Sequence, residues 1–276
     1  MAARKSWAQA MCLIAIAYRV VPAWPLLVLA NRDEFYARPA APLAPWADGQ
    51  LLAGQDLEAG GTWLGVHTTG RFSAVTNVTE TPPDPLPPAS RGALVEGFLR
   101  STASALDYLT ALTPTHAAYR GFNLLTFDGE TLAYGSNRGD QAPRTLAPGC
   151  YALANAGLES AWPKQQRIAT ALAQRLAPGM APVFSALRPL LYDQTPVAPE
   201  ALVAAGLAPE RFAATAQCFL RGDQYGTRAS TLVALGDRTL WIEEARFGPG
   251  GRWEGATALG RERKLALTRT AHEGAA

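Results

Sequence analysis

Cys12 follows Met11 directly and opens the apolar run CLIAIAY, residues 12–18. A thiol is the most nucleophilic side chain at neutral pH, but it needs a base to take its proton. If the chain is trimmed to Cys12, its own α-amine, with a reference pKa of about 8, can serve as that base. This chemistry needs no histidine, which suits a sequence whose histidines, His67, His116 and His272, form no cluster. The competing reading treats Cys12 as a small apolar residue of a buried strand.

Other residue types could complete such a site. The motif NRDE, residues 31–34, follows the apolar run WPLLVLA. Arg32 could hold a thiolate or a substrate carboxylate, and Asp33 could fix an α-ammonium. A strand shows only alternate residues to one face, so one of this pair should point away unless the chain turns there. Asn77 ends AVTN and Asn155 ends CYALAN; a side-chain amide at a strand end can donate to an oxyanion, or simply serve a turn. Arg228, in YGTRAST, reads either as a loop clamp or as part of a carboxylate or amide site. In GGTWLG the glycines lack a phosphate-binding spacing and instead permit close backbone approach. Asp56 and Glu58 in QDLEAGG suit a substrate loop. His67 and Met11 could ligate haem iron in principle, but isolated residues at these spacings carry little weight.

The elements that must position these residues arrive mostly in pairs. Runs 12–18 and 25–30 read as a hairpin through VPAWP, with NRDE at the exit of its second strand. Residues 37–50, rich in proline and alanine, read as a loop. Strands over 63–67 and 71–76 form a second hairpin, and GFNLLTFDGETLAYGSN a third through its Asp-Gly turn. ETPPDPLPPAS reads as a rigid surface loop. Ser90 can cap a helix over 91–100, with a further short helix over 102–111. CYALANA reads as a strand. Helices follow over 164–176, with Pro163 in the first turn, and over 182–191, then loops over 192–211. STLVALGD and RTLWIEEARF form the last hairpin. Hairpins with two helical clusters argue for antiparallel sheets covered by helices rather than for an alternating parallel fold.

Bulk properties narrow the function classes. The 276 residues are 48% hydrophobic and 17% charged, with net charge +2. There is no basic run able to track phosphates, so no nucleic-acid partner is expected. The longest apolar runs are strand-sized, which argues against stable membrane insertion. Three widely spaced cysteines form neither a zinc spacing nor a disulfide framework and suit a cytoplasmic location. Arg4 and Lys5 precede no cleavage-like pattern, so an export signal is disfavoured. A single domain over 11–250 is expected, with residues 1–10 an extension or a misassigned start and 251–276 a C-terminal tail.

The motifs MCLIAIA, NRDEFYARP, LAGQDLEAGGTWLG, FSAVTN, SRGALVEGFL, YRGFNLL, LANAGLESAWPK and YGTRASTLV together resemble, in order, the NRDE family, also called the transport-and-Golgi-organisation family. The resemblance spans most of residues 11–247. It implies an α+β, four-layer αββα sandwich of the N-terminal-nucleophile hydrolase type, mostly antiparallel. Cys12 would then match the nucleophile, Asp33 the carboxylate near the amine, Asn77 and Asn155 the oxyanion or orienting amides, and Arg228 the distal arginine, with Arg32 a companion of Asp33. The implied activity is cofactor-free hydrolysis of an amide, ester or thioester of a small molecule. The family's association with haem trafficking offers the alternative of haem bound in the same cleft without hydrolysis. Homo-oligomerisation is left open. Family members typically begin at the residue matching Met11, so residues 1–10 reflect a wrong start, a leader removed at Met11–Cys12, or a retained segment that blocks the amine.

Overall fold

The computed structural model describes residues 12–78, 89–139, 141–158, 160–176 and 184–262. The readings of residues 1–10, of Met11, of the loop over 80–88 and of the chain beyond 262 fall outside the described residues. Within them the protein is α+β, with two antiparallel sheets and six α-helices.

The first sheet begins with the expected hairpin, β1 (Leu13–Val21) and β2 (Trp24–Phe35). Its other strands are β10 (Gly149–Leu153), β11 (Tyr225–Leu235), β12 (Thr239–Gly248) and β13 (Arg252–Glu262), in the order β10-β1-β2-β11-β12-β13. The second sheet is a meander: β3 (Ala40–Pro45), β4 (Leu51–Asp56), β5 (Leu64–His67), β6 (Phe72–Asn77), β7 (Phe122–Phe127), β8 (Leu132–Ser136) and β9 (Arg144–Thr145).

Alternation along the strands explains the packing. In β1, Ile14, Ile16 and Tyr18 join an apolar cluster shared with Phe72, Leu125 and Phe127 of the second sheet. Leu13, Ala15 and Ala17 point the other way, onto α3 (Pro163–Arg175) and α4 (Phe184–Leu191) through Ile168, Leu172, Leu187 and Leu191. A strand covered on both faces has no polar face, hence the unbroken apolar run in the sequence. The second sheet is covered in turn by α1 (Gly92–Arg100) and α2 (Ala105–Leu112), whose Leu94, Val95, Phe98, Leu99 and Leu109 pack on Val75, Phe122 and Leu124. Each such side chain, fully buried, contributes about 1.5–3 kcal/mol.

Several expectations need correction. NRDE lies inside β2 rather than beyond its end. The 37–50 loop contains β3, an edge strand whose Pro42 and Pro45 disguise it. Ser90 does not cap α1 through its side chain; α2 is the capped helix, with the Asp107 N–H donating to Ser104 Oγ at 3.1 Å. Residues 192–211 include α5 (Pro199–Ala204) and the start of α6 (Pro209–Phe212). The expected tail over 251–276 begins instead with β13, a mostly exposed edge strand held to β12 by backbone pairing.

Candidate functional site

The register of the first sheet builds the site. Leu13 pairs with Asn31, which sets Cys12 beside the Arg32–Asp33 step of β2. Asn31 and Asp33 share the face of Leu27 and Leu29, toward α3 and α4. Asn31 Nδ2 donates to the carbonyls of Leu191 at 2.7 Å and Cys218 at 2.8 Å, and Asn31 Oδ1 accepts from Ser230 Oγ at 2.6 Å. Arg32 faces the second sheet. Its guanidinium lies 4.3 Å from the Trp63 ring centroid and donates to Asp56 Oδ2 at 3.3 Å. Alternation therefore sends the pair to opposite faces, as anticipated, yet both reach the same opening at the end of the sheet.

That opening is a cleft of about 360 Å³ whose lining includes Cys12, Arg32, Asp33, Asn77, Arg91 and Arg120. Its other wall holds Glu34, Arg38, Asp56 and Glu58. Asp56 is less a substrate-loop carboxylate than a fastening point: Oδ1 accepts the Glu58 and Ala59 N–H groups, and Oδ2 accepts Arg38 Nε at 2.8 Å. Arg38 also bonds Glu58 at 3.1 Å, so this side is a closed ion-pair network.

Cys12 is half-buried at the cleft's head. Burial, reinforced by the Asp33 charge, pushes its thiol up to about 11. Asp33 is fully buried, and that burial raises its carboxyl to about 7 against the opposing pull of the Lys164 charge and the Thr227 hydroxyl. Thr227 Oγ1 donates to Asp33 Oδ1 at 2.6 Å and accepts the Leu220 N–H at 2.9 Å. Asp33 Oδ2 has no hydrogen-bond partner among the described residues. A buried carboxylate oxygen is costly to leave unmatched.

Lys164 is the functional candidate the sequence reading passed over. It is 1% exposed, and its Nζ donates to the Thr215 carbonyl at 3.3 Å. Burial pulls its pKa down while the charges of Asp33, Cys218 and Cys12 oppose that. The signal was present: Lys164, Ile168 and Leu172 fall at i, i+4 and i+8, which puts the lysine on the apolar stripe of α3.

The remaining candidates divide. Asn77 ends β6 and lines the cleft. Asn155 does not line it; the residue is buried, and its Nδ2 donates to the Asn77 carbonyl at 2.7 Å, so it holds the end of β6 in place. Arg228 also stands outside the lining. Thr227 pairs with Asp33 and Ala229 with Arg32, so a bulge throws Arg228 out of register, and its guanidinium clamps the carbonyls of Phe35 and Arg38. The residue of YGTRAST that meets the aspartate is Thr227.

The glycine pair of GGTWLG does allow close approach. Gly61 has φ +59°, and a Cβ there would sit 2.7 Å from the carbonyl carbon of Gly92, at the start of α1. Gly60 has φ +68° with open space around it. Gly60→Ala is expected to cost about 1 kcal/mol from conformation alone, and Gly61→Ala about 3 kcal/mol, because backbone must also move. Urea denaturation of the two variants checks this; equal losses would remove the packing role of Gly61.

Fold and site together define an α+β protein with a charged cleft built around a cysteine and a buried aspartate. The family model for Transport and Golgi organisation 2 matches residues 11–246, and the chain belongs to that family. The bovine Transport and Golgi organization protein 2 homolog is 36% identical over 271 residues, covering 90% of this chain and 98% of the bovine protein. The mouse Transport and Golgi organization 2 homolog is 39% identical over 167 residues, 56% of this chain and 60% of its own. The Drosophila melanogaster Transport and Golgi organization protein 2 is 33% identical over 115 residues, 38% and 40% of the two chains. Among the described residues no helix is long and apolar enough to cross a membrane.

Proposed function

We propose that the protein is a cysteine N-terminal-nucleophile hydrolase acting on an amide, ester or thioester of a small molecule. The helix–sheet–sheet–helix packing is then read as the four-layer sandwich of that class, working in the reducing cytoplasm that its three unpaired cysteines suit. The single observation that carries the reading is the orphaned Oδ2 of Asp33 in the cleft beside Cys12. With Cys12 as the first residue, its α-ammonium supplies the donor this oxygen lacks.

The reaction follows. The α-amine takes the thiol proton, and Cys12 Sγ forms a bond to the substrate carbonyl carbon. Asn77, which lines the cleft, donates to the oxyanion in this reading. The bond to the amine, alcohol or thiol leaving group breaks as the α-ammonium returns the proton to it. Water, deprotonated by the same amine, then attacks the acyl-cysteine; the S–C bond breaks, a carboxylic acid leaves and the thiol is restored.

Haem fits the cleft less well. His67 and His116 do not line it, which among the described residues leaves Cys12 as the sulfur ligand at the cleft. A wall of paired arginines and carboxylates favours a polar acyl compound over an apolar macrocycle.

The test is intact-mass spectrometry of the chain beginning at Cys12 after exposure to aryl esters and thioesters. One acyl group on Cys12 is expected, and none in Cys12→Ala. Equal labelling of the variant would place the reaction elsewhere and end this reading.

A further inference from the structure

The arginines that line the cleft differ in how they are paired. Arg32 and Arg38 are taken up by Asp56, Glu34 and Glu58. Arg91, directly before α1, and Arg120 line the same cleft. Arg91 Nη1 donates to the Gly121 carbonyl at 3.1 Å. The Arg120 side chain makes no hydrogen bond or ion pair with any described residue, although its Nε is buried.

The segment carrying Arg120 is nonetheless fixed. Asn137 Nδ2 donates to the carbonyls of Tyr119 at 3.1 Å and Arg120 at 3.2 Å, while Asn137 Oδ1 accepts the Phe122 N–H at 2.7 Å. The Gly121 carbonyl accepts from Arg91 and also from the Val78 N–H at 2.9 Å. Asn77, the candidate oxyanion donor, pairs with Phe122, two residues beyond Arg120. An always-charged side chain is thus held on rigid backbone in the nucleophile's cleft, and no described residue uses its donors.

We propose that Arg120 grips an anionic oxygen group, carboxylate or phosphate, at the far end of the acyl substrate whose carbonyl Cys12 attacks. The substrate class is an acyl compound with a terminal negative charge. A planar guanidinium matches either oxyanion with two parallel hydrogen bonds, and Arg32 and Arg38 are already taken up by carboxylates. The assignment rests on the hydrolase reading for the carbonyl end and on Arg120 alone for the anionic end.

Three p-nitrophenyl esters of similar length separate these parts: the glutarate monoester, ending in carboxylate; the 3-phosphonopropanoate, ending in phosphonate; and the neutral valerate. They are compared as acyl donors to the chain beginning at Cys12, which contains every described residue. At least one anionic donor is expected to acylate Cys12 with kcat/KM at least about tenfold above valerate, the preference residing mainly in KM. Whichever anionic donor is preferred identifies the group. Arg120→Gln should erase the preference, and Arg120→Lys, which keeps the charge but not the fork, should retain part of it. Acylation by valerate with no anionic preference overturns the Arg120 assignment and leaves the hydrolase reading standing. If no donor acylates Cys12, the hydrolase reading fails, and calorimetry with glutarate and inorganic phosphate decides the anion site: Arg120-dependent binding supports it, and no binding ends it.

Discussion

A chain that begins at Cys12 should be acylated at least about a thousandfold faster than one that retains Met11. With Met11 attached, the nitrogen of Cys12 is a peptide nitrogen and cannot accept a proton. The thiol, held up at about 11, is then thiolate in roughly one molecule in ten thousand at neutral pH. On the proposed mechanism, freeing the amine supplies a base adjoining the sulfur and a donor for Asp33 Oδ2, which has none among the described residues. The rate of the freed form should rise as pH climbs through the amine's own range, since only the neutral amine is a base. In that form Asp33→Asn should slow acylation about a hundredfold, because an amide holds the amine without a counter-charge and competes for the Thr227 hydroxyl. Single-turnover mass gain for the two chains and the variant gives the rates directly. Equal rates with and without Met11 would show that the α-amine does no chemistry.

How much of this was legible before any coordinates depended on what each residue reports locally. Cys12, Arg32, Asp33 and Asn77 are polar or reactive residues at the margins of apolar strands, and the cleft gathers all four. Thr227 and Arg228 are neighbours, but which of them meets Asp33 is set by a bulge between β11 and β2, a pairing irregularity with no mark in the sequence. Lys164 was readable by helical spacing, yet a lysine after a helix-starting proline looks like surface until α3 is docked on the first sheet. Arg120 lies in an irregular stretch, and only the Asn137 clamp and the pairing of β7 with β6 fix its segment at the cleft. The fold shows the same limits. β13 lacks an apolar stripe because its stabilising contacts are backbone pairs at a sheet edge, and α5 and α6 are too short to show a period.

Lys164→Met should change the sign of its stability effect with pH. In the chain retaining Met11, the folded-state carboxyl of Asp33 stands at about 7, above its unfolded value, so the folded form prefers the protonated acid. Stability from this group is full below about pH 4 and is lost as pH rises to about 7, by about 4 kcal/mol at most. Lys164 limits that loss, because its charge favours the Asp33 carboxylate. The lysine is itself disfavoured by burial, which lowers its pKa in the folded form and makes its charged state a cost in acid. At pH 5, where Asp33 is protonated, replacing Lys164 with an apolar chain of similar length removes a buried cation with no anion to serve, and stability should hold or rise. At pH 8 the same change strips a buried carboxylate of its counter-charge and should cost about 2 kcal/mol. That is below the usual toll for breaking a contact pair, because no direct ion pair joins the two among the described residues. Urea unfolding at pH 5 and pH 8 decides the matter. Asp33→Asn should flatten the wild-type slope between pH 4 and 7, since the titrating group is gone. An equal loss for Lys164→Met at both pH values would mean that the lysine serves α3 through packing and its bond to Thr215, with no electrostatic tie to the aspartate beside Cys12.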